Sequence, residues 1–244
     1  HDGSGAMVLE KFPSVRLIQN SENRYFARAN NQALRQAQGR YLLILNPDTY
    51  LTDNAFRVLI EFMDAHPRAG ACGPKILNPD GTYQGSGDRV ATAAYALCEA
   101  GLINALFPRN PVKTARIRLG WNRDTTEQVD SISGACMMVR KKTVDQAGLM
   151  DERFLLYWEE TDWCRSIKQA GWEVYFVHSS QIHHHQGKAT NKVNKEKIEK
   201  IFYESMCQYY TKWQGPIFGL ALRACLKFFT FPALKAIKTI KDFR

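Results

Sequence analysis

At 244 residues and 45% apolar content, the chain is long enough for one large domain, or one and a half, around a sizeable core. Its six cysteines form no CxxC pair and no short regular spacing, which argues against a disulfide framework or a zinc site and for reduced thiols in a cytosolic setting. The net charge is +9, and +8 of it falls from Gly187 onward, where twelve Lys or Arg face four acids; such a tail suits an anionic surface. No run is expected to reach the roughly 18 uncharged apolar residues of a spanning helix, and no signal peptide is recognised.

Met7 to Phe12 reads as a short helix, and Val15 to Ile18 as a short strand closed by Gln19 and Asn20. Ala27 to Gln38 predicts a helix with Ala29, Ala33 and Ala37 along one side and Gly39 as its stop. The stretch that organises the chain follows. Tyr41 to Leu45 is a continuous apolar run that stops at Asn46-Pro47-Asp48, which predicts a strand buried on both faces. Asp48 then stands at the C-terminal edge of a strand, where open α/β sheets bind ligands. A carboxylate there can hold a hard divalent cation against substrate phosphates, or Asn-Pro-Asp can be turn chemistry alone. Asp53 can cap a helix from Asn54 to Ala65, in which Phe56, Leu59, Ile60 and Met63 repeat at helical spacing. Ala69 to Leu77 is another apolar strand. Strands alternating with helices argue for a parallel sheet with helices on its faces, and for nucleotide handling.

Asn78 to Gly81 signals a turn, and Gly85 to Gly87 a loop. From 90 to 125 periodicity is weak: Ala91 to Leu106 has helical character, and Arg116, Arg118 and Arg123 add positive charge. Ser133-Gly134-Ala135, within Val129 to Arg140, lets a ligand or another backbone come close. Lys141 to Ala147 reads as a short helix ended by Gly148. Tyr157 and Trp158 then run directly into Glu159, Glu160 and Asp162, at the start of a helix expected from Thr161 to Ala170. Acids in a first turn complement the helix dipole, but three of them beside two aromatics exceed what a cap requires. Glu173 to Val177 is a strand, followed by Ile182-His183-His184-His185-Gln186-Gly187, where alternation points His184 away from its two neighbours. The triplet is either a solvated loop or, with Asp48, part of a site for Mg²⁺ or Mn²⁺.

In this order, the strand ending in NPD, the SGA segment, the aromatic-EETDW run and IHHHQG resemble the inverting glycosyltransferases of family 2 with the GT-A fold, in particular their bacterial rhamnosyltransferase-like branch, over residues 1–190. The resemblance implies an α/β architecture, a GT-A-type Rossmann-like and mostly parallel sheet flanked by helices. It divides the chain into a GT-A domain over 1–190 and a helical, basic, amphipathic extension over 191–244. It implies that Asp48 is the metal-binding last Asp of the DxD motif, with Asn46 where the first Asp often stands, and that His184 assists the metal and diphosphate. Glu160 falls at the catalytic base, and Asp162 at the acidic residue two positions on. Asn23 and Asn30 match donor-side asparagines, and Gly134, Trp158 and Glu159 are expected to join Asn46 in contacting substrate. The chain departs from the pattern at Tyr25, where Gly is usual, and at Ser166, where an Arg often follows the acids. The family's first strand would precede His1, so the chain reads as a truncated enzyme.

The function implied is transfer of a sugar such as rhamnose from a nucleotide-diphosphate donor to a hydroxyl of a glycan or lipid-linked acceptor, on the inner face of the plasma membrane. A noncatalytic nucleotide-sugar or carbohydrate binding module is the alternative, favoured by Asn46 and the missing start. In the tail, Leu234, Ile237 and Ile240 make an apolar stripe beside Lys235, Lys238 and Lys241, downstream of Phe228, Phe229 and Phe231. That pattern fits either an interfacial segment drawn to anionic lipid or a helix packed on its own domain. A nucleic-acid partner is not expected, since the aromatics keep helical spacing with aliphatics and no nucleic-acid motif is present.

Overall fold

The computed structural model describes residues 3–185 and 195–242, with side chains described up to 236. Gln186, Gly187, the 190/191 boundary and the side chains of Ile237, Lys238, Ile240 and Lys241 therefore lie outside the described residues. A seven-stranded sheet forms the centre. Its main strands are β1 (Tyr41–Leu45), β2 (Thr49–Leu51), β3 (Ala69–Leu77), β6 (Cys136–Arg140) and β7 (Glu173–His184), in the order β1-β6-β3-β7-β2. Two short strands lie off this path: β4 (Tyr83–Gln84) pairs with β3, and β5 (Glu127–Gln128) with β7. The sheet is mixed. Only β3 and β7 pair in parallel, while β6 runs antiparallel between β1 and β3 and keeps those two strands pointing the same way.

Strand alternation assigns side chains to two cores. On β6, Met137 and Val139 join Ala27, Leu42, Ile44, Trp163 and Phe176 on one face, while Cys136 and Met138 join Leu59, Met63, Ile76 and Ile182 on the other. The first face is covered by α2 (Tyr25–Leu34), α7 (Lys141–Ala147) and α8 (Glu159–Gln169), the second by α3 (Ala55–Ala65). A third, aromatic core joins α4 (Ala93–Ala100) to α9 (Lys195–Gln214) and α10 (Pro216–Cys225) around Tyr209, Tyr210, Met206 and Trp158. One side of α9 and of α10, within the predicted tail, is thus packed on the rest of the molecule.

Several expectations change. Among the described residues, 15–18 form no strand and α1 (Ser4–Lys11) is the element before α2. Helix α2 ends at Leu34 and buries Ala27, Asn31 and Leu34, leaving Ala29 and Ala33 exposed. The reason is Asn31, whose amide donates to the Met150 carbonyl at 2.8 Å and to Glu152 at 3.0 Å and accepts from the Met150 N–H at 3.2 Å. Strand β1 is an edge strand: Leu42 and Ile44 are buried in one core, Tyr41 and Leu43 are only half-buried against the other, and Leu45 is 39% exposed, so the second face is covered only in part. Helix α3 is capped by Asn54 in the left-handed conformation, with no side-chain bond, and not by Asp53. Strand β7 continues through the first two histidines instead of ending at Val177.

The weakly periodic region resolves into α4, α5 (Ile103–Leu106) and α6 (Pro111–Arg116). Beyond α9, α10 passes through a π-helical turn (Leu226–Thr230) into α11 (Phe231–Asp242). Pro216–Ala236 is a helical run of 21 residues whose most apolar 18-residue window has mean hydropathy 1.5; although Arg223, Lys227 and Lys235 interrupt it, it is long and apolar enough by composition to cross a membrane. Gly219 lets α10 lie against α9, since a Cβ there would fall 1.9 Å from the Thr211 hydroxyl oxygen.

Asn31→Ala removes three hydrogen bonds and orphans both Met150 backbone groups. It should cost about 2–4 kcal/mol in urea unfolding, far more than an exposed Ala29→Ser control.

Candidate active site

The site begins with the turn after β1. The Asn46 N–H donates to the Ala135 carbonyl at the head of β6 (2.9 Å), and the His185 N–H donates to the Asp48 carbonyl (2.9 Å), so the turn is held between two strand ends. Pairing of β2 with β7 sets Thr49 opposite His184 and Tyr50 opposite His183. The histidines alternate as predicted: His183 and His185 pack on the Tyr50 ring, and His184 is buried on the other side. There its Nε2 lies 3.1 Å from Asp48 Oδ1 and 3.3 Å from Asn46 Nδ2.

Gln84, on β4, decides what His184 can do. Its amide nitrogen is committed to Asn78 Oδ1 and the His184 carbonyl, so its oxygen accepts from His184 Nδ1 at 2.6 Å. A proton held on Nδ1 leaves a lone pair on Nε2 directed toward Asp48, the arrangement in which a ligating imidazole is fixed by an outer hydrogen bond. Among the described residues no cluster of three or more His, Cys, Asp or Glu side chains could hold a metal. The Asp48–His184 pair would supply two protein ligands, leaving other positions to substrate oxygens.

This pair opens into a cleft of about 1210 Å³ that also holds Asn23, Gly134, Trp158, Glu159 and Glu160. At its far wall Tyr157 and Trp158 have φ of 64° and 69°, two consecutive bulky residues in the left-handed region immediately before α8. Such backbone costs of order 1–3 kcal/mol per residue and is found mostly at functional sites. It is held by packing: Trp158 lies 5.2 Å from Tyr209 and 5.9 Å from Phe202, both on α9. Tyr25, at the opposite side, has φ 56°, and its N–H bonds to Asn23 Oδ1 at 2.8 Å. The backbone there is one that glycine favours, which matches the departure noted in the sequence.

The strained turn buries two acids side by side. Burial, and then the neighbouring Glu160 charge, hold the Glu159 carboxyl well above its ordinary 4.5. Glu160 is raised as well, chiefly by burial, with the backbone amides of Glu160 and Gly134 and the Arg116 cation pulling the other way. Among the described residues, Glu159 Oε2, Glu160 Oε2 and Trp158 Nε1 are buried and find no hydrogen-bond partner. Gly134 is tight: a Cβ would meet the Phe26 ring at 2.9 Å, so only glycine brings this backbone up to Glu160.

Two predicted site residues stay outside the cleft. The Asn30 amide donates to the Phe26 carbonyl at 2.9 Å within α2. Asp162 is buried on the α9 side of α8, bound by Lys212 Nζ and Trp213 Nε1, each at 2.7 Å. It ties the two helices together. Conversely, sequence reading gave no site role to Arg116, Tyr95 or Asp88. Arg116 lies over the Tyr95 and Trp158 rings at 4.9 and 5.5 Å, and 3.7 Å from Asp88, inside the cleft. Arg118 and Arg123 instead both lie over the Trp121 ring, and Arg123 bonds the carbonyls of Ile117, Arg118 and Trp121. No spacing signal separates the three arginines, because α6 is only six residues long.

A sheet with a metal-suited Asp–His pair at one strand end and a buried acid across a large cleft defines a GT-A-type glycosyltransferase fold. The mannosyltransferase PcManGT from Pyrobaculum calidifontis, solved with GDP-Man and Mn²⁺, shares this fold with TM-score 0.53 at 15% identity, over 93% of this chain and 57% of that one. GalNAc-T7, solved with UDP, GalNAc and Mn²⁺, does so with TM-score 0.52 at 18% identity, over 75% and 34%. The model of Glycosyl transferase family 2 matches residues 1–146, and the chain belongs to that family. The N-acetylglucosaminyl-diphospho-decaprenol L-rhamnosyltransferase of Mycobacterium tuberculosis is 28% identical over 202 residues, 78% of this chain and 65% of the relative. The O-antigen biosynthesis protein RfbC of Myxococcus xanthus is 26% identical over 211 residues, 86% of this chain and 16% of its own length. The chain therefore spans less than two thirds of the length of either relative.

Two measurements separate the acids. Because the Glu159 carboxyl is raised when folded, its contribution to stability is full below about pH 4.5 and is lost as pH rises through the raised value. Glu159→Gln should flatten that fall in urea unfolding followed from pH 4 to 8. Asp162→Asn, which exchanges a charged acceptor of two buried bonds for an amide, should lower stability by about 1–3 kcal/mol at pH 7.

Proposed function

We propose that the chain carries the catalytic site of a metal-dependent inverting glycosyltransferase that moves a sugar from a nucleotide-diphosphate donor to an acceptor hydroxyl. One observation carries this reading: a single cleft holds the Asp48–His184 pair and the buried, unpartnered Glu160 carboxyl oxygen. Asp48 and His184 Nε2 would hold Mg²⁺ or Mn²⁺, which when bound neutralises the leaving diphosphate. Asn46 orients the His184 ring and, with Asn23, borders the donor side of the cleft. Glu160 takes the proton of the acceptor hydroxyl as it attacks the sugar carbon. Its raised affinity for protons suits that role, since a general base works best with a pKa near the working pH. Gly134 brings its backbone up to Glu160, and Trp158 excludes water from that end.

The name of the M. tuberculosis relative supports L-rhamnose as the sugar and a lipid-linked diphosphate as the acceptor anchor. Tyr95, Ile198, Ile201 and Phe202 make the acceptor end of the cleft apolar, which agrees with such an anchor. A cytoplasmic location, with the basic tail drawn to the inner face of an anionic membrane, completes the reading.

The test is a thermal-shift titration with Mn²⁺ and UDP-, dTDP- and GDP-sugars. A metal-dependent rise in Tm with one nucleotide class, absent in Asp48→Ala, is expected; no rise with any donor would overturn the donor site. Glu160→Gln should keep that rise while turnover falls about 10²- to 10⁴-fold. Near-normal turnover would remove Glu160 from the role of base, and retained donor binding without transfer in the unmodified chain would favour a binding module.

A further inference from the structure

The C-terminal helical run does not meet the molecule as a core helix would, since only 22% of its most apolar window is buried. Its inner side carries Leu222 and Leu226 into the aromatic core, and its outer side presents Leu220, Phe228 and Phe229. The run is tied to the end of α4, where the Ala100 carbonyl accepts from the Thr230 hydroxyl and from Cys225 Sγ. There the α4–α5 hairpin has an outward row of its own, Leu97, Leu106 and Phe107. These six side chains are between 56% and 71% exposed. Two elements in contact at Ala100, more than a hundred residues apart in sequence, thus each leave large apolar groups in water, at a cost that a partner would relieve.

The surrounding charge selects the partner. Across 93–113 and 216–236 there are five cations (Arg109, Lys113, Arg223, Lys227 and Lys235) against a single acid, Glu99, which accepts from the Asn104 amide. Apolar groups that insert, framed by cations, fit the interface of an anionic bilayer, to which each surface Lys or Arg adds attraction. We infer that the α4–α5 hairpin and the C-terminal helical run together form one membrane-docking surface, with the hairpin a second anchor beside the tail. Helix α4 makes the consequence direct: it sends Tyr95 into the cleft wall and Leu97 outward, so a docked surface brings the acceptor end of the cleft close to the lipid headgroups. This deepens the reading of a lipid-linked acceptor and rests on it for its purpose, but not for its measurement.

The experiment is flotation of the chain with vesicles of equal parts phosphatidylglycerol and phosphatidylcholine, and with phosphatidylcholine alone. Two variants replace only exposed groups: Leu106→Glu with Phe107→Glu, and Phe228→Glu with Phe229→Glu, with folding checked by circular dichroism. The unaltered chain should bind the anionic vesicles and lose binding in high salt. Each double variant should bind on the order of tenfold more weakly or worse. A hairpin variant that binds like the unaltered chain, while the tail variant does not, would leave the tail acting alone and overturn the inference. No binding by the unaltered chain would overturn it together with the tail's membrane role. A dimer in sedimentation that both variants dissociate, with no vesicle binding, would assign the surface to a second copy of the chain. Vesicle binding needs no turnover, so failure of the donor titration would refute the transferase reading alone.

Discussion

The cost of burying charge organises this molecule. Two adjacent carboxyls, that of Glu159 and the Oε2 side of Glu160, are taken out of water at the head of α8, on a turn whose backbone is itself strained. The helix start and the nearby backbone amides favour the carboxylates there, but burial outweighs them. The arrangement persists because Trp158 is wedged among Tyr209, Tyr210 and Phe202, and because Asp162, one turn along, fixes α9 through Lys212 and Trp213. Helix α9 is therefore the clamp that keeps the acids buried, although the acidic run itself ends far earlier in the chain.

The opposite wall follows a different logic. The Asn46–Asp48 turn is positioned by backbone hydrogen bonds to the head of β6 and the end of β7, so its geometry depends on sheet register and little on side-chain packing. Gln84 adds the one chemical decision by keeping the His184 proton on Nδ1. The cleft thus joins a rigid, sheet-anchored half suited to phosphate and metal with a helical, aromatic half suited to an acceptor. In the family to which the chain belongs, such a division would let the acceptor side vary while the donor side keeps its geometry.

Where motif and local periodicity agreed, the reading from sequence and the structure coincide. Ala69–Leu77 and Lys141–Ala147 appear with the expected bounds, and the alternation of the three histidines follows from strand geometry alone. Asp48, His184, Glu160, Gly134 and Trp158 line one cleft. The departures share a cause. The face that α2 buries is set by Asn31, whose partners lie near residue 150, and Asp162 was turned from the cleft by Lys212 and Trp213, some fifty residues on. Neither partner is visible from a window of neighbours.

What the sequence by itself determined was the α/β class, the family resemblance and the identity of the acids, histidine and asparagines, because strand and helix periods and motif spacing are local properties of the chain. Tertiary structure decided which of those residues face one another. It also set β6 antiparallel within the sheet, chose Arg116 over Arg118 and Arg123 for the cleft, and laid the α4–α5 hairpin beside the C-terminal helices. Those outcomes depend on contacts between segments far apart in sequence, whose energies come from burial and from satisfying buried polar groups. Such terms exist only once the chain has folded.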